Sequence, residues 1–308
     1  MNQPPHIPVL RDAVVRLLHP EAGQAYFDGT AGYGGHAAAI AEAVGPGGRL
    51  ILVDRDRQAV SALQQRFGGR ADVRHDDYCH AAAELQAAGT TVDMVLLDLG
   101  VSSPQLDQAA RGFSFAQDGP LDMRMDPSRG DSAADLVNMM GERELADLIY
   151  RYGEEPRSRR IAAAIVAARP LATTGQLAEV VVGAIGRHGQ LHPATRTFQA
   201  LRIAVNDELQ QLTAALPIVV DILNPGGRLA VISFHSLEDR IVKEFFRRQS
   251  RDCICPPQQP VCTCNHHASL KLLTKSPVAG TQDAFNPRAR SAKLRAAAKL
   301  TPKPKKEA

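Results

Sequence analysis

Five aspartates, Asp28, Asp54, Asp76, Asp77 and Asp98, each stand at or just beyond the end of a short aliphatic or β-branched run. Runs of that kind read as strands of a parallel sheet, and open sheets of this type bind ligands beyond the carboxyl ends of their strands. Between the first two aspartates lies Phe27-Asp28-Gly29-Thr30-Ala31-Gly32-Tyr33-Gly34-Gly35-His36, a glycine loop of the sort that lets a ligand come close to the backbone. Gly32, Gly34 and Ala37, with Asp54 about 20 residues on, also satisfy the dinucleotide fingerprint. An NAD site and an S-adenosyl-L-methionine site therefore begin alike. Charge separates them: a ring of carboxylates opposes a pyrophosphate but lowers the energy of a bound sulfonium and ammonium. Asp28 and Asp98 are placed for the cationic amino-acid end of such a donor, Asp54 for its ribose and Tyr78 for packing on adenine.

The fourth strand runs into Val95-Leu96-Leu97-Asp98-Leu99-Gly100-Val101-Ser102-Ser103-Pro104-Gln105. A hydroxyl-rich turn beside a methyl donor suits transfer to an exocyclic amine. The lone pair of cytosine N4 is delocalised into the ring, so an acceptor must hold the N–H while the nitrogen lines up with the methyl. Asp98 and Ser103 are the catalytic candidates for that role. Attack at ring carbon C5 would instead require a cysteine nucleophile, and Cys79 follows the third strand, away from this turn in sequence. A base taken out of a stack needs an aromatic wedge and polar partners. Phe113, Phe115, Phe198 and Phe234 could stack, and Arg196, His235 and Arg240 could bind base or phosphate; each reads equally as core or as part of a surface ion pair.

Four of the five cysteines, Cys253, Cys255, Cys262 and Cys264, fall within twelve residues, with His266 and His267 close by. In a chain with no export signal a disulfide framework is not expected. Zinc held by four thiolates, or by thiolates and imidazole, is one reading, but the spacing is tighter than the usual CxxC pairs, and no metal ligand is assigned.

The elements that must position these residues are legible in outline. Strands are expected at 25–28, 49–54, 72–75 and 93–99, with helices at 35–44, 57–67 and 80–88 between them, the alternation of a parallel α/β sheet. The next convincing strand, 228–234, comes far later than one crossover requires, so an insertion fills the gap. Its first part, 107–130, reads as a long loop, followed by helices at 142–152, 156–168 and 174–187. A further helix over 196–223, with a break near Pro217, returns to the sheet. After a helix at 240–248 come the cysteine loop and two short strand candidates, 270–274 and 291–294.

The 308 residues carry a net charge of only +3, unevenly spread. From Arg240 onward there are 15 Lys and Arg against 4 Asp and Glu, leaving 21 against 29 before it. The cationic end suits a polyphosphate chain and the acidic part suits a cationic ligand. No apolar run approaches the roughly 20 residues that span a bilayer, and 1–11 lacks the apolar stretch of a signal peptide. A cytoplasmic protein with no membrane partner is the expectation.

Taken together the motifs resemble the ribosomal RNA small subunit methyltransferase H family over nearly the whole chain. The resemblance rests on Asp28-Gly29-Thr30 with Gly34-Gly35-His36, the turn from Leu97 to Gln105, Arg111-Gly112-Phe113-Ser114-Phe115, and Gly119-Pro120-Leu121-Asp122-Met123-Arg124-Met125-Asp126. His192-Pro193-Ala194-Thr195-Arg196-Thr197-Phe198-Gln199-Ala200 and Ser233-Phe234-His235-Ser236-Leu237-Glu238-Asp239-Arg240 complete it. It implies a class I methyltransferase, a Rossmann-like α/β sheet with an inserted helical subdomain. The expected division is 1–106 and 196–300 for the methyltransferase domain, 107–195 for the substrate-recognition insertion and 301–308 for a disordered basic tail. It implies S-adenosyl-L-methionine as methyl donor, held by Gly34, Gly35, His36, Asp54, Tyr78, Asp98 and Gln105, and as partner a decoding-centre cytosine of 16S ribosomal RNA, methylated at N4 within the small subunit. His36 and Gln105 enter that set through the resemblance alone. The family often has Phe where this chain has Tyr78, so the aromatic face is the shared feature. A homodimer is left open.

Overall fold

The computed structural model describes residues 8–187, 191–282 and 287–301. The chain forms two compact units, Met1–Gly100 with Gln211–Ala308, and Val101–Gln210. The expected insertion boundaries at 107 and 195 both fall inside the second unit. The basic tail expected over 301–308 lies, from Pro302 on, outside the described residues.

The first unit begins with α1 (Arg11–Leu18) and continues β1 (Ala25–Asp28), α2 (Gly35–Val44), β2 (Arg49–Asp54), α3 (Arg57–Phe67), β3 (Ala71–His75), α4 (Tyr78–Ala87) and β4 (Val92–Asp98). The second holds α5 (Ser103–Asp107), α6 (Ala133–Met139), α7 (Glu142–Gly153), α8 (Ser158–Ala167), α9 (Thr174–Ile185) and α10 (Thr195–Asn206). The chain returns through α11 (Glu208–Asp221) to β5 (Leu223–Ser233), α12 (Ser236–Gln249), β6 (Leu270–Leu272), β7 (Val278–Ala279) and β8 (Lys293–Lys299).

The sheet order is β3-β2-β1-β4-β5-β8-β6, with β7 also on β8. The first five strands are parallel and β8 runs antiparallel to β5. Helices cover both faces, so the inner strands are buried on both sides and read as continuous aliphatic runs such as Leu50-Ile51-Leu52-Val53. The order reverses between β1 and β4, and at such a switch point a crevice opens at the carboxyl ends. Register fixes what lines it. Asp28 is opposite Leu52 of β2 and Leu96 of β4, so Asp54 and Asp98 stand two residues further along the flanking strands, on the same face as those partners.

Two expectations are corrected. The returning helix breaks at Asp207, not near Pro217: Asp207 takes φ 52°, a left-handed conformation that Asp tolerates better than most, whereas Pro217 lies inside α11. The last strand covers 293–299 instead of 291–294. Its Ala296-Ala297-Ala298 has weak strand propensity, and the extension is held by pairing with β5. In the second unit, α6 to α10 close around an apolar core including Leu145, Ile149, Ile161, Ile165, Val181 and Leu201.

Candidate active site

The crevice of the first unit is built from the β1–α2 loop and the ends of β2 and β4. Backbone and side-chain bonds sew these together: Gly29 N donates to Leu96 O at 3.0 Å, Ala31 N to Val53 O at 2.9 Å, and Asp98 N to the Thr30 hydroxyl at 2.6 Å. Thr30 had no assigned role in the sequence, yet it fixes the end of β4 to the glycine loop. The glycines prove to serve packing as much as ligand approach. A Cβ on Gly34 (φ 76°) would lie 2.6 Å from the Phe67 ring, one on Gly35 2.5 Å from Pro8, and one on Gly29 2.7 Å from both Tyr78 and Leu97. Tyr78 opens α4 and is partly buried against the core under this loop.

The aspartate ring resolves into two kinds. Asp28, expected at the cationic end of the donor, is 1% exposed and has both carboxylate oxygens engaged within the protein. Tyr26 Oη donates to one at 2.8 Å and Thr30 N to the other at 3.2 Å. It is therefore structural. Burial pushes its pKa up to about 6, against the Tyr26 bond and the nearby His36, which pull it down. Asp77 caps α4 through His80 N, and Asp76 pairs with the His80 ring at 2.5 Å. Asp54 accepts from Gly32 N and Asp56 N, each at 2.8 Å, and burial again pushes it up to about 6.

Asp98 differs. Its Oδ1 is buried with no partner among the described residues, and its Oδ2 lies 3.6 Å from His36 Nε2. His36, 7% exposed at the start of α2, has neither ring nitrogen in a hydrogen bond among the described residues. Leaving buried polar groups unpaired costs about 1–3 kcal/mol each, so this cluster is incomplete without a ligand. A molecule bearing both an ammonium and a carboxylate completes it, the ammonium donating to Asp98 and the carboxylate accepting from an imidazole N–H. The residues present thus fit the amino-acid end of S-adenosyl-L-methionine, and Asp54, with acceptor lone pairs remaining, fits a ribose diol.

At the end of β5, Phe234 packs near Gly100, where a Cβ would fall 3.3 Å from the phenylalanine ring. Glu238, 2% exposed, organises the turn into α12: one carboxylate oxygen accepts from Phe234 N at 2.8 Å and His235 N at 3.3 Å, and the other lies 3.1 Å from His235 Nε2. Its signal in the sequence is the capping-box spacing from residue 235 to Glu238. Arg240 is exposed on α12.

The remaining candidates belong to the second unit. Ser103 opens α5 behind Ser102, whose hydroxyl accepts from Gln105 N at 3.4 Å while Gln105 Oε1 accepts from Ser102 N at 2.9 Å. Gln105 is thus buried and part of a reciprocal cap. Phe113 and Phe198, expected to stack on a base, are only 7% and 5% exposed and pack in the core of this unit. The more open ring is Phe115, with His192 at 4.5 Å and Phe198 edge-on at 4.8 Å. Arg196 donates to Glu154 O at 3.1 Å and pairs with Glu155 at 3.5 Å.

A switch-point crevice lined by acceptors, with an unpaired histidine and carboxylate matched to a zwitterionic donor, defines a Rossmann-like, S-adenosyl-L-methionine-dependent methyltransferase. The profile of the MraW methylase family matches residues 3–300, and the chain belongs to that family. Ribosomal RNA small subunit methyltransferase H of Thermomicrobium roseum is 50% identical, covering 96% of this chain and 94% of its own. That of Geobacter sp. (strain M21) is 51% identical, covering 96% and 98%. Among solved structures, an rRNA methylase from Streptococcus thermophilus superposes with a TM-score of 0.41 at 11% identity, over 98% of this chain and 99% of that one.

Proposed function

We propose that this methyltransferase acts on small-subunit ribosomal RNA, at N4 of a cytosine in the decoding centre of 16S RNA. The observation that carries the ribosomal substrate is the near-full-length identity of about one half to relatives named for small-subunit ribosomal RNA. The basic stretch from Arg240 onward supports a polyphosphate partner. Attack by an amine nitrogen is favoured over ring carbon because no cysteine lies in the turn after β4: four are gathered in a distant stretch of sequence, and the fifth, Cys79, follows β3 with its thiol pushed up by burial and by the nearby Asp77.

When bound, S-adenosyl-L-methionine supplies an electrophilic methyl carbon on a sulfonium. Asp98 would accept from its ammonium, His36 would donate to its carboxylate, Asp54 would accept from the ribose hydroxyls, and Tyr78 would flank the adenine. Gly34 and Gly35 hold the loop close, and Gln105 fixes the turn that carries Ser103. Asp98 of the first unit, or the Ser103 hydroxyl of the second, would accept the amine N–H and orient its nitrogen; the bound donor would supply the methyl and leave as the thioether, with water taking the proton released. In the first unit Phe234 offers a face to an extruded base; within the second unit Phe115 is the more open ring, packed edge-on against Phe198. His235, Arg196 and Arg240 supply polar contacts to base or phosphate. The working place of such an enzyme is the cytoplasm, where the small subunit is assembled.

The test is nucleoside mass mapping of 16S RNA after incubating small subunits from cells lacking the gene with the purified protein and labelled donor. Label in N4-methylcytidine of the decoding centre is expected. Label at C5, or on another base, refutes the assignment.

A further inference from the structure

Between α12 and β6 runs a twenty-residue stretch without helix or strand that takes no part in the crevice chemistry. Its four cysteines, separated in pairs along the chain, converge: Cys253, Cys255, Cys262 and Cys264 place all four Sγ atoms within 4.8 Å of one another. Cys253 and Cys262 are 3.5 Å apart, Cys262 and Cys264 3.5 Å, and Cys264 and Cys253 3.8 Å. A disulfide needs about 2.05 Å, so these sulfurs are not bonded to one another. Four sulfurs at about 2.3 Å from a central ion in a regular tetrahedron would be about 3.8 Å apart. We propose that these four cysteines form a structural zinc site, the ion bound by four thiolates.

The surroundings are those of a metal–thiolate centre. Ile254 N points at Cys264 Sγ from 3.4 Å, the kind of amide contact that steadies a coordinating sulfur from the outer shell. His266, the nearest alternative ligand in sequence, has its Nε2 3.0 Å from the Arg248 carbonyl at the end of α12. His267 is exposed. The donor set is therefore all sulfur, which disfavours hard oxygen-seeking ions, suits zinc and leaves no open position for catalysis. Four thiolates on one dication leave two negative charges, and Arg247 and Arg248 of the last turn of α12, with Arg251, flank the loop in sequence.

The loop also needs such a tie. It has almost no apolar core of its own: Val261 is 69% exposed. Its ends are held by Ser269 N to Gln249 O at 2.9 Å and Ala268 N to Asp252 at 3.2 Å, which fix where it starts and stops but not its middle. Ordering a loop of this length without secondary structure is entropically costly, and a metal joining residues 253 to 264 supplies the missing constraint.

The full chain, purified without chelator from zinc-supplemented medium, should carry about one zinc per molecule by elemental mass spectrometry. Of its five thiols, Cys79 alone should react with a thiol reagent until a mercurial or strong chelator releases the ion, after which all five should react. Cobalt reconstitution should give the intense visible bands of a tetrahedral tetrathiolate. Cys255→Ser and Cys264→Ser should each lose the zinc while donor binding in the crevice persists. Metal-free protein after zinc supplementation, five thiols reacting alike in untreated protein, iron in place of zinc, or a weak octahedral cobalt spectrum would each overturn the assignment. These measurements on the unaltered chain decide the matter even if the serine variants fail to fold.

Discussion

Asp98→Asn isolates the charge to which we assign the ammonium of the donor. The side chain is 24% exposed, its Oδ1 has no partner among the described residues, and Asn keeps its shape and one acceptor. A unit charge about 4 Å from a cation is worth about 4 kcal/mol at an effective dielectric of 20. Part of that is screened at a partly open group, and a hydrogen bond to a charged partner contributes about 1.5–3 kcal/mol net. The substitution should therefore cost about 2–3 kcal/mol, or roughly 30- to 150-fold in Kd. Isothermal titration with S-adenosyl-L-methionine and with S-adenosyl-homocysteine gives the number and its origin. The two ligands share the ammonium and differ in the sulfonium, so an Asp98 that meets the ammonium weakens both by the same factor. Folding stability should not fall, because no protein donor is lost and a like charge beside Asp28 is removed. A Kd within twofold of the unaltered protein would refute the role given to Asp98.

Four further outcomes follow from other parts of the fold. Asp54 is raised to about 6, so it is protonated below that pH in the free protein; donor affinity should be flat above about pH 7, fall by up to tenfold per unit below 6, and lose this dependence in Asp54→Asn. The same raised values at Asp28 and Asp54 mean the folded chain holds protons that the unfolded chain releases between about pH 4 and 6, so their contribution to stability is present at low pH and fades as pH rises through that window, which melting of the ligand-free protein checks. Gly34→Ala forces a side chain into φ 76° and against Phe67, costing about 1–2 kcal/mol by denaturant titration from the backbone alone; an unchanged midpoint would remove the packing role argued for that glycine. Arg295→Ala strips Asp239 of its bonds at 2.7 and 3.3 Å in a buried site, and should destabilise by about 3–5 kcal/mol, well beyond a surface pair; a loss under about 1 kcal/mol would show that Lys293 alone satisfies Asp239.

The alternation of aliphatic runs and alanine-rich helices determined the parallel sheet, because both patterns are local and periodic. It also marked Asp54, Asp98, Tyr78 and the glycine loop, since strand ends can be read from composition and ligand sites in such sheets sit there. What it could not decide was which carboxylates were spare. Asp28, Asp76 and Asp77 look like Asp98 in sequence, and only the fold shows Tyr26, His80 and the start of α4 consuming them while Asp98 faces an unpaired His36. Phe113 and Phe198 likewise read equally as stacking faces or as core, and helix packing buries them. Glu238, Thr30 and the convergence of four sulfurs from two short pairs depend on contacts between segments distant along the chain or on turn geometry. Local periodicity carries no information about those contacts; they are fixed when the sheet and helices close and each polar group either finds a partner or is left for a ligand.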